Sequence, residues 1–100
     1  MQSIKLGTYT LEKYTALEAK MDYAEFIQDS IAGDFKYMYV LYKDQENGSY
    51  GFSSAEVMFE YANDVFKCSV CDSKGELSGV YKCKDFTAGL TRLINNMQQW

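Results

Sequence analysis

The sequence predicts a single α+β domain, with a mainly antiparallel sheet and helices on one face. Its 100 residues, 47% of them hydrophobic, are enough for one core and too few for two. Two capping-box sequences each precede apolar residues at helical spacing, and two turn sequences separate strand-like segments. The predicted order of elements in this single domain, residues 1–100, is β-α-β-β-α-β-β-α.

The first two elements are a strand and a regular helix. Residues 3–9 alternate apolar and polar side chains, which is typical of a half-buried strand. Thr15 and Glu18 then form a capping box, and Gly33 is a natural helix stop. The predicted core face of this helix consists of Leu17, Met21, Ala24, Ile27 and Ile31.

A hairpin and a second helix follow. Residues 35–43 are rich in β-formers, and Asn47-Gly48 predicts a tight turn into a return strand. Ser53 and Glu56 then form a second capping box. One apolar face of the predicted second helix consists of Val57, Met58, Tyr61, Ala62 and Val65.

The chain ends with a second hairpin and a third helix. Residues 65–71 and 77–84 read as strands joined by a turn at 72–75. Asp85 is the expected N-cap of the last helix, in which Gly89 lowers the helix propensity. Its apolar positions are Phe86, Leu90, Leu93, Ile94 and Met97.

The composition argues against most catalytic chemistries. The chain has no histidine, and histidine is the commonest general base and metal ligand. No apolar run approaches the roughly 18 residues that span a bilayer, and an odd number of cysteines at low density suits a reducing compartment. We therefore expect a cytoplasmic protein that is not an enzyme and has no cofactor.

Three cysteines resemble half of a zinc ribbon. Cys68 and Cys71 form a Cys-x-x-Cys pair, with Cys83 downstream. A zinc site holding these three residues would need a fourth ligand, because closed zinc sites have four. The alternative is that Cys68 and Cys83 face the core from paired strands as small apolar residues.

Acidic residues recur at helical spacing in the first two predicted helices. Residues 15–64 hold ten acids and three bases, a net charge of −7 within a chain of net −4. Like charges three or four residues apart repel one another, so these stripes favour an external role over local stability. An ordinary solvated face, paired with lysines of the last hairpin, is the alternative. The two stripes consist of Glu18, Asp22, Glu25 and Asp29, and of Glu56, Glu60 and Asp64.

Tyrosines offer a second contact surface. Tyr37 and Tyr39 share one face of a strand whose other face is also apolar. Tyrosine is favoured in protein interfaces because it combines contact area with a polar tip. These two residues therefore join the acidic stripes as predicted partner-binding residues.

Together these features predict a small acidic protein-binding module. Its expected partner is a basic protein surface in a nucleic-acid-handling complex, which the chain would inhibit as phage-encoded inhibitors of restriction and CRISPR complexes do. Direct contact with nucleic acid or with a membrane is not expected. The alternatives are a chaperone-like or structural homodimer, formed through the tyrosine strand or the first helix, and a zinc-stabilised module.

Overall fold

The fold is a six-stranded antiparallel sheet in which neighbouring strands follow one another along the chain. The computed structural model describes residues 1–24, 27, 32–43, 55–71 and 77–98. One helix lies between the second and third strands, and another follows the last strand. The elements are β1 (Gln2–Leu6), β2 (Tyr9–Thr15), α1 (Ala16–Asp22), β3 (Tyr37–Lys43), β4 (Ala55–Tyr61), β5 (Val65–Cys71), β6 (Leu77–Cys83) and α2 (Phe86–Met97).

The α+β class and the mainly antiparallel sheet are confirmed, but the predicted order of elements is wrong. The first difference is a hairpin where one strand was expected at residues 3–9. Leu6 pairs with Tyr9 across a two-residue turn, and Gly7 has a φ of 67°. Glycine reaches positive φ without steric cost, as two-residue hairpin turns require. The turns predicted at 47–48 and 72–75 lie outside the described residues.

The second difference is that β4 replaces the predicted second helix. This strand pairs with β3 on one side and β5 on the other, and it is buried on both faces. Val57 and Phe59 point to one face and Met58 to the other, and none of the three is exposed. A central strand covered on both faces carries a continuous apolar run, which periodicity alone does not separate from a buried helix.

A left-handed turn ends β4 and reverses the chain into β5. Asn63 and Asp64 have φ angles of 63° and 57°. Asparagine and aspartate adopt this conformation more readily than other residues with a side chain. Asp64 therefore lies in a strand connection and not on the last turn of a helix.

The two helices in the described part of the chain cover opposite faces of the sheet, so the prediction of helices on one face is wrong. Ala19 of α1 belongs to a core cluster with Met38 and Val57. Leu93 of α2 belongs to a second cluster with Leu41 and Met58. Because β3 has apolar side chains on both faces, and Val57 and Met58 of β4 point to opposite faces, each face of the sheet is covered by its own helix.

Helix α2 begins and packs as its local sequence indicates. Asp85 is its N-cap and accepts a hydrogen bond of 2.8 Å from the Ala88 amide. Gly89 is buried, and a Cβ at this position would collide with Met58 Sδ. The glycine that lowers helix propensity thus permits a close approach of the helix to the sheet. In the described part of the chain, no helix is both long and apolar enough to cross a bilayer.

Candidate functional site

The predicted acidic residues do not form one surface. Glu56 is only 2% exposed, because it lies on the central strand β4 and faces the cluster beneath α2. Glu60 lies near the end of the same strand, and Asp64 lies in the following turn. The stripe predicted for the second helix is therefore wrong, since alternation along a strand replaces the helical spacing. Glu25 and Asp29 of the first stripe lie outside the described residues.

Glu60 has partners within the protein. Its carboxylate accepts a 2.6 Å hydrogen bond from the Tyr39 hydroxyl, and its second oxygen lies 3.9 Å from Lys36 Nζ. Burial, followed by this hydrogen bond to Glu60, raises the pKa of Tyr39. A carboxylate held by a tyrosine and a lysine contributes little negative potential to the surface.

The tyrosine face is covered as well. Tyr37 and Tyr39 do share one face of β3, as alternation predicts. Lys13 Nζ lies 4.0 Å from the ring centroid of Tyr37 and 5.7 Å from that of Tyr39. The Tyr39 ring also meets Phe86 of α2 edge to face at 5.2 Å. Tyr39 is therefore buried beneath α2, whereas Tyr37 stays half-buried under Lys13.

Sequence reasoning missed Lys13. It lies in a segment that was not assigned to a strand. Once β2 is placed beside β3, the pairing of Lys13 with Tyr39 brings its ammonium group over both rings. The signal in the sequence was the alternation of residues 9–12, which is separated from β1 by only two residues.

Glu18 lies at the start of α1 and is held by a local network. Thr15 and Glu18 form the predicted capping box, with a bond of 3.2 Å from the Glu18 amide to Thr15 Oγ1. The Glu18 carboxylate also binds the Met1 ammonium group. This hydrogen bond and that from the Thr15 amide lower the pKa of Glu18 to about 2. Glu18 is therefore a structural cap as well as a charge.

A cavity of about 280 Å³ adjoins this network, and the side chains of Lys13 and Glu18 lie on its walls. The arrangement could hold a small polar group. Its lining residues are Met1, Gln2, Lys13, Thr15, Glu18 and Tyr37.

The outer face of α1 is the most unusual surface of the described structure. Leu17 is 70% exposed and Met21 is 74% exposed, whereas Ala19 is completely buried. The prediction that Leu17 and Met21 face the core is therefore wrong. Ala19 is the buried contact of α1, and its small side chain allows the helix to lie close to the sheet.

Charged residues flank these two apolar side chains. Asp22 and Lys20 are both exposed on α1. Lys20 Nζ lies 6.0 Å from the ring centroid of Phe35. Residues 16–34 contain five acids and one lysine, and this net −4 equals the net charge of the whole chain. The outer face of α1, defined by Leu17, Met21 and Asp22, thus lies in an acidic part of the sequence.

Two of the three cysteines meet in the core beneath α2. Cys68 and Cys83 are buried on neighbouring strands, and their Sγ atoms are 3.3 Å apart. The side chain of Cys71 lies outside the described part. Among the described residues, no group of three cysteine, aspartate or glutamate side chains is placed to hold a metal ion.

The fold and these surfaces were compared with known proteins. No protein-family model, curated protein or solved structure matched the chain.

Proposed function

We propose that the chain is a non-enzymatic protein-binding module that contacts its partner through the outer face of α1. The observation that supports this is the exposure of Leu17 and Met21, one helical turn apart. Both faces of the central sheet have buried clusters of their own, so these side chains are not needed for the core. Covering a leucine or methionine side chain stabilises a complex by about 1.5–3 kcal/mol, before the costs of association.

The charge beside Leu17 and Met21 indicates the chemistry of the partner. Asp22 is exposed next to Met21 on α1, in a chain of net charge −4. Negative potential accelerates association with basic surfaces and repels nucleic acid. The best-fitting partner is a basic protein surface with an apolar depression that receives Leu17 and Met21. A nucleic-acid-handling complex presents such basic surfaces, and occupation of one would inhibit it.

A second copy of the chain fits the outer face of α1 less well. An isologous contact brings the same residues of both copies together, so the exposed Asp22 carboxylates of the two copies would lie in one contact. Like charges placed close together oppose association. The homodimer is therefore a competing outcome of the test below.

Photo-crosslinking from the outer face of α1 tests the proposal. We expect a photoreactive residue at position 17 to crosslink, in the native cell, to a protein whose contact surface is basic. The matched control is the same residue at position 91, since Thr91 is exposed on α2 and α2 covers the opposite face of the sheet. Crosslinking only from position 91, or only to a second copy of the chain, would contradict the proposal.

Substitutions then test the contact with the captured partner. The double variant Leu17→Ser/Met21→Ser should weaken binding about 10- to 100-fold, because two apolar contacts are lost. Ile4→Ser/Val80→Ser is the matched control, since both residues are exposed apolar side chains on edge strands. Asp22→Asn should lower the association rate and its salt dependence more than Asp64→Asn. An equal loss of affinity in Leu17→Ser/Met21→Ser and in Ile4→Ser/Val80→Ser would contradict a contact through the outer face of α1.

A further inference from the structure

We infer that Cys68 and Cys83 form an oxidisable thiol pair that closes into a disulfide between β5 and β6. Their Sγ atoms are 3.3 Å apart, and a disulfide bond is about 2.05 Å long, so closure requires a movement of roughly 1.3 Å. Cys68 lies opposite Tyr81 and Cys83 opposite Phe66, which makes the cysteines diagonal neighbours across one strand pair. This inference does not depend on the proposed function.

The surroundings hold the two thiols together. Cys68 is 1% exposed, and its thiol donates a 3.5 Å hydrogen bond to the carbonyl oxygen of Gly89 in α2. Because Gly89 has no side chain, the backbone of α2 lies close above the pair. Two groups fixed in this way react at an effective concentration far above that of free thiols.

The difference in exposure indicates the order of reaction. Cys83 is 9% exposed and Cys68 is 1% exposed, so a peroxide reaches Cys83 first. Burial raises the pKa of Cys68, and its thiol remains protonated until the second step. Cys83 therefore reacts with the peroxide, and Cys68 then reacts with the oxidised Cys83 to form the disulfide.

Hydrogen peroxide is sufficient as the oxidant. The Cys83 sulfur attacks one peroxide oxygen, the O–O bond breaks, and sulfenic acid and one water form. The Cys68 sulfur then attacks the Cys83 sulfur, the S–O bond breaks, and the departing oxygen leaves as a second water with the Cys68 proton. Two thiols lose two electrons and two protons, and one peroxide becomes two waters.

The bond should stabilise the fold. It closes a loop that contains residues 69–82, and a crosslink over a loop of about 15 residues restricts the unfolded chain. We expect the oxidised protein to melt about 10 °C above the reduced protein.

Mass spectrometry of the full chain tests the inference. Cys68 and Cys71 lie in the same tryptic peptide, residues 68–74, so the test uses the Cys71→Ser variant. After treatment of the folded variant with hydrogen peroxide, we expect a monomer that has lost two hydrogens and no longer reacts with a thiol alkylator. The mass loss should reverse with dithiothreitol.

Two further variants provide the controls. Adding Cys68→Ser or Cys83→Ser to the Cys71→Ser variant should abolish the loss of two hydrogens in the monomer. Two alkylatable thiols after oxidation of Cys71→Ser, or only bonds between chains, would overturn the inference. If Cys71→Ser fails to fold, thermolysin cleavage before Val70 separates Cys68 from Cys71 in the unsubstituted chain. A disulfide between Cys71 and Cys83 in that digest would overturn the inference.

Discussion

Replacing Ala19 by aspartate should lower the free energy of unfolding by about 3 kcal/mol or more, whereas the same change at Leu17 should cost about 0.5 kcal/mol. Ala19 is completely buried in the cluster that contains Met38 and Val57, so the new carboxylate would lose its water. Leu17 is 70% exposed, and an aspartate there keeps its hydration. The pair of variants therefore measures which side of α1 faces the core.

Urea unfolding followed by circular dichroism gives the two free energies. Ala19→Ser is a useful third variant, because it adds a small polar group without a charge and should fall between the other two. A cost at Leu17→Asp equal to that at Ala19→Asp would mean that α1 is rotated about its axis. The outer face of α1 would then not be available to a partner.

Alkaline pH should destabilise the protein steeply above about pH 10. Burial raises the pKa values of Tyr14, Tyr39 and Tyr61, and hydrogen bonds to Tyr23 and Glu12 add to the effect at Tyr14. A raised pKa in the folded state means that stability is fully present below the pKa of an unfolded tyrosine, about 10. It is lost as the pH rises further, by at most about 1.4 kcal/mol for each tyrosine and each pH unit.

Thermal unfolding between pH 7 and pH 11.5 tests this expectation. Part of the rise in tyrosinate absorbance should coincide with the loss of structure, because the hydroxyls of Tyr14, Tyr39 and Tyr61 ionise only when the chain unfolds. Tyr14→Phe should be less stable at pH 7, since the hydroxyl bonds to Glu12 and Tyr23 are lost, but should have a shallower alkaline decline. If stability declined with pH as steeply in Tyr14→Phe as in the unsubstituted protein, Tyr14 would not contribute to the alkaline loss of stability.

Local signals predicted the parts of the fold that depend on adjacent residues. The cap at Thr15, the cap at Asp85 and the strands at 35–43 and 65–71 were recognised because their determinants lie within a few residues. Capping and strand propensity are short-range effects, and tertiary contacts in these segments agree with them.

Long-range packing decided the parts that the sequence did not predict. The capping box at Ser53 and Glu56 matched a helix start, but Glu56 is buried in β4 between two other strands. Val57, Met58 and Tyr61 fit one helical face, and Val57, Met58 and Phe59 fit a strand buried on both sides equally well. The helix and the strand are distinguished only by whether other elements bury both faces of the segment, and that depends on the whole fold.

The candidate site illustrates the same limit. Leu17 and Met21 are more hydrophobic than Ala19, so amphipathicity assigns them to the core. The structure buries the smaller side chain, which leaves the larger ones at the surface. Glu60 was recognised as charged, but its partners Tyr39 and Lys36 come from a different part of the chain. A stripe of charges along a sequence therefore does not establish a charged surface.

Methionine oxidation tests most directly whether the outer face of α1 is free to bind a partner. The five methionines fall in separate tryptic peptides, and Met1 and Met21 are exposed whereas Met38, Met58 and Met97 are buried. With tert-butyl hydroperoxide on the folded protein, we expect rapid oxidation of Met1 and Met21, slow oxidation of the other three, and protection of Met21 in the partner complex. Oxidation of Met21 in the free monomer as slow as that of Met38 would contradict an exposed binding face on α1.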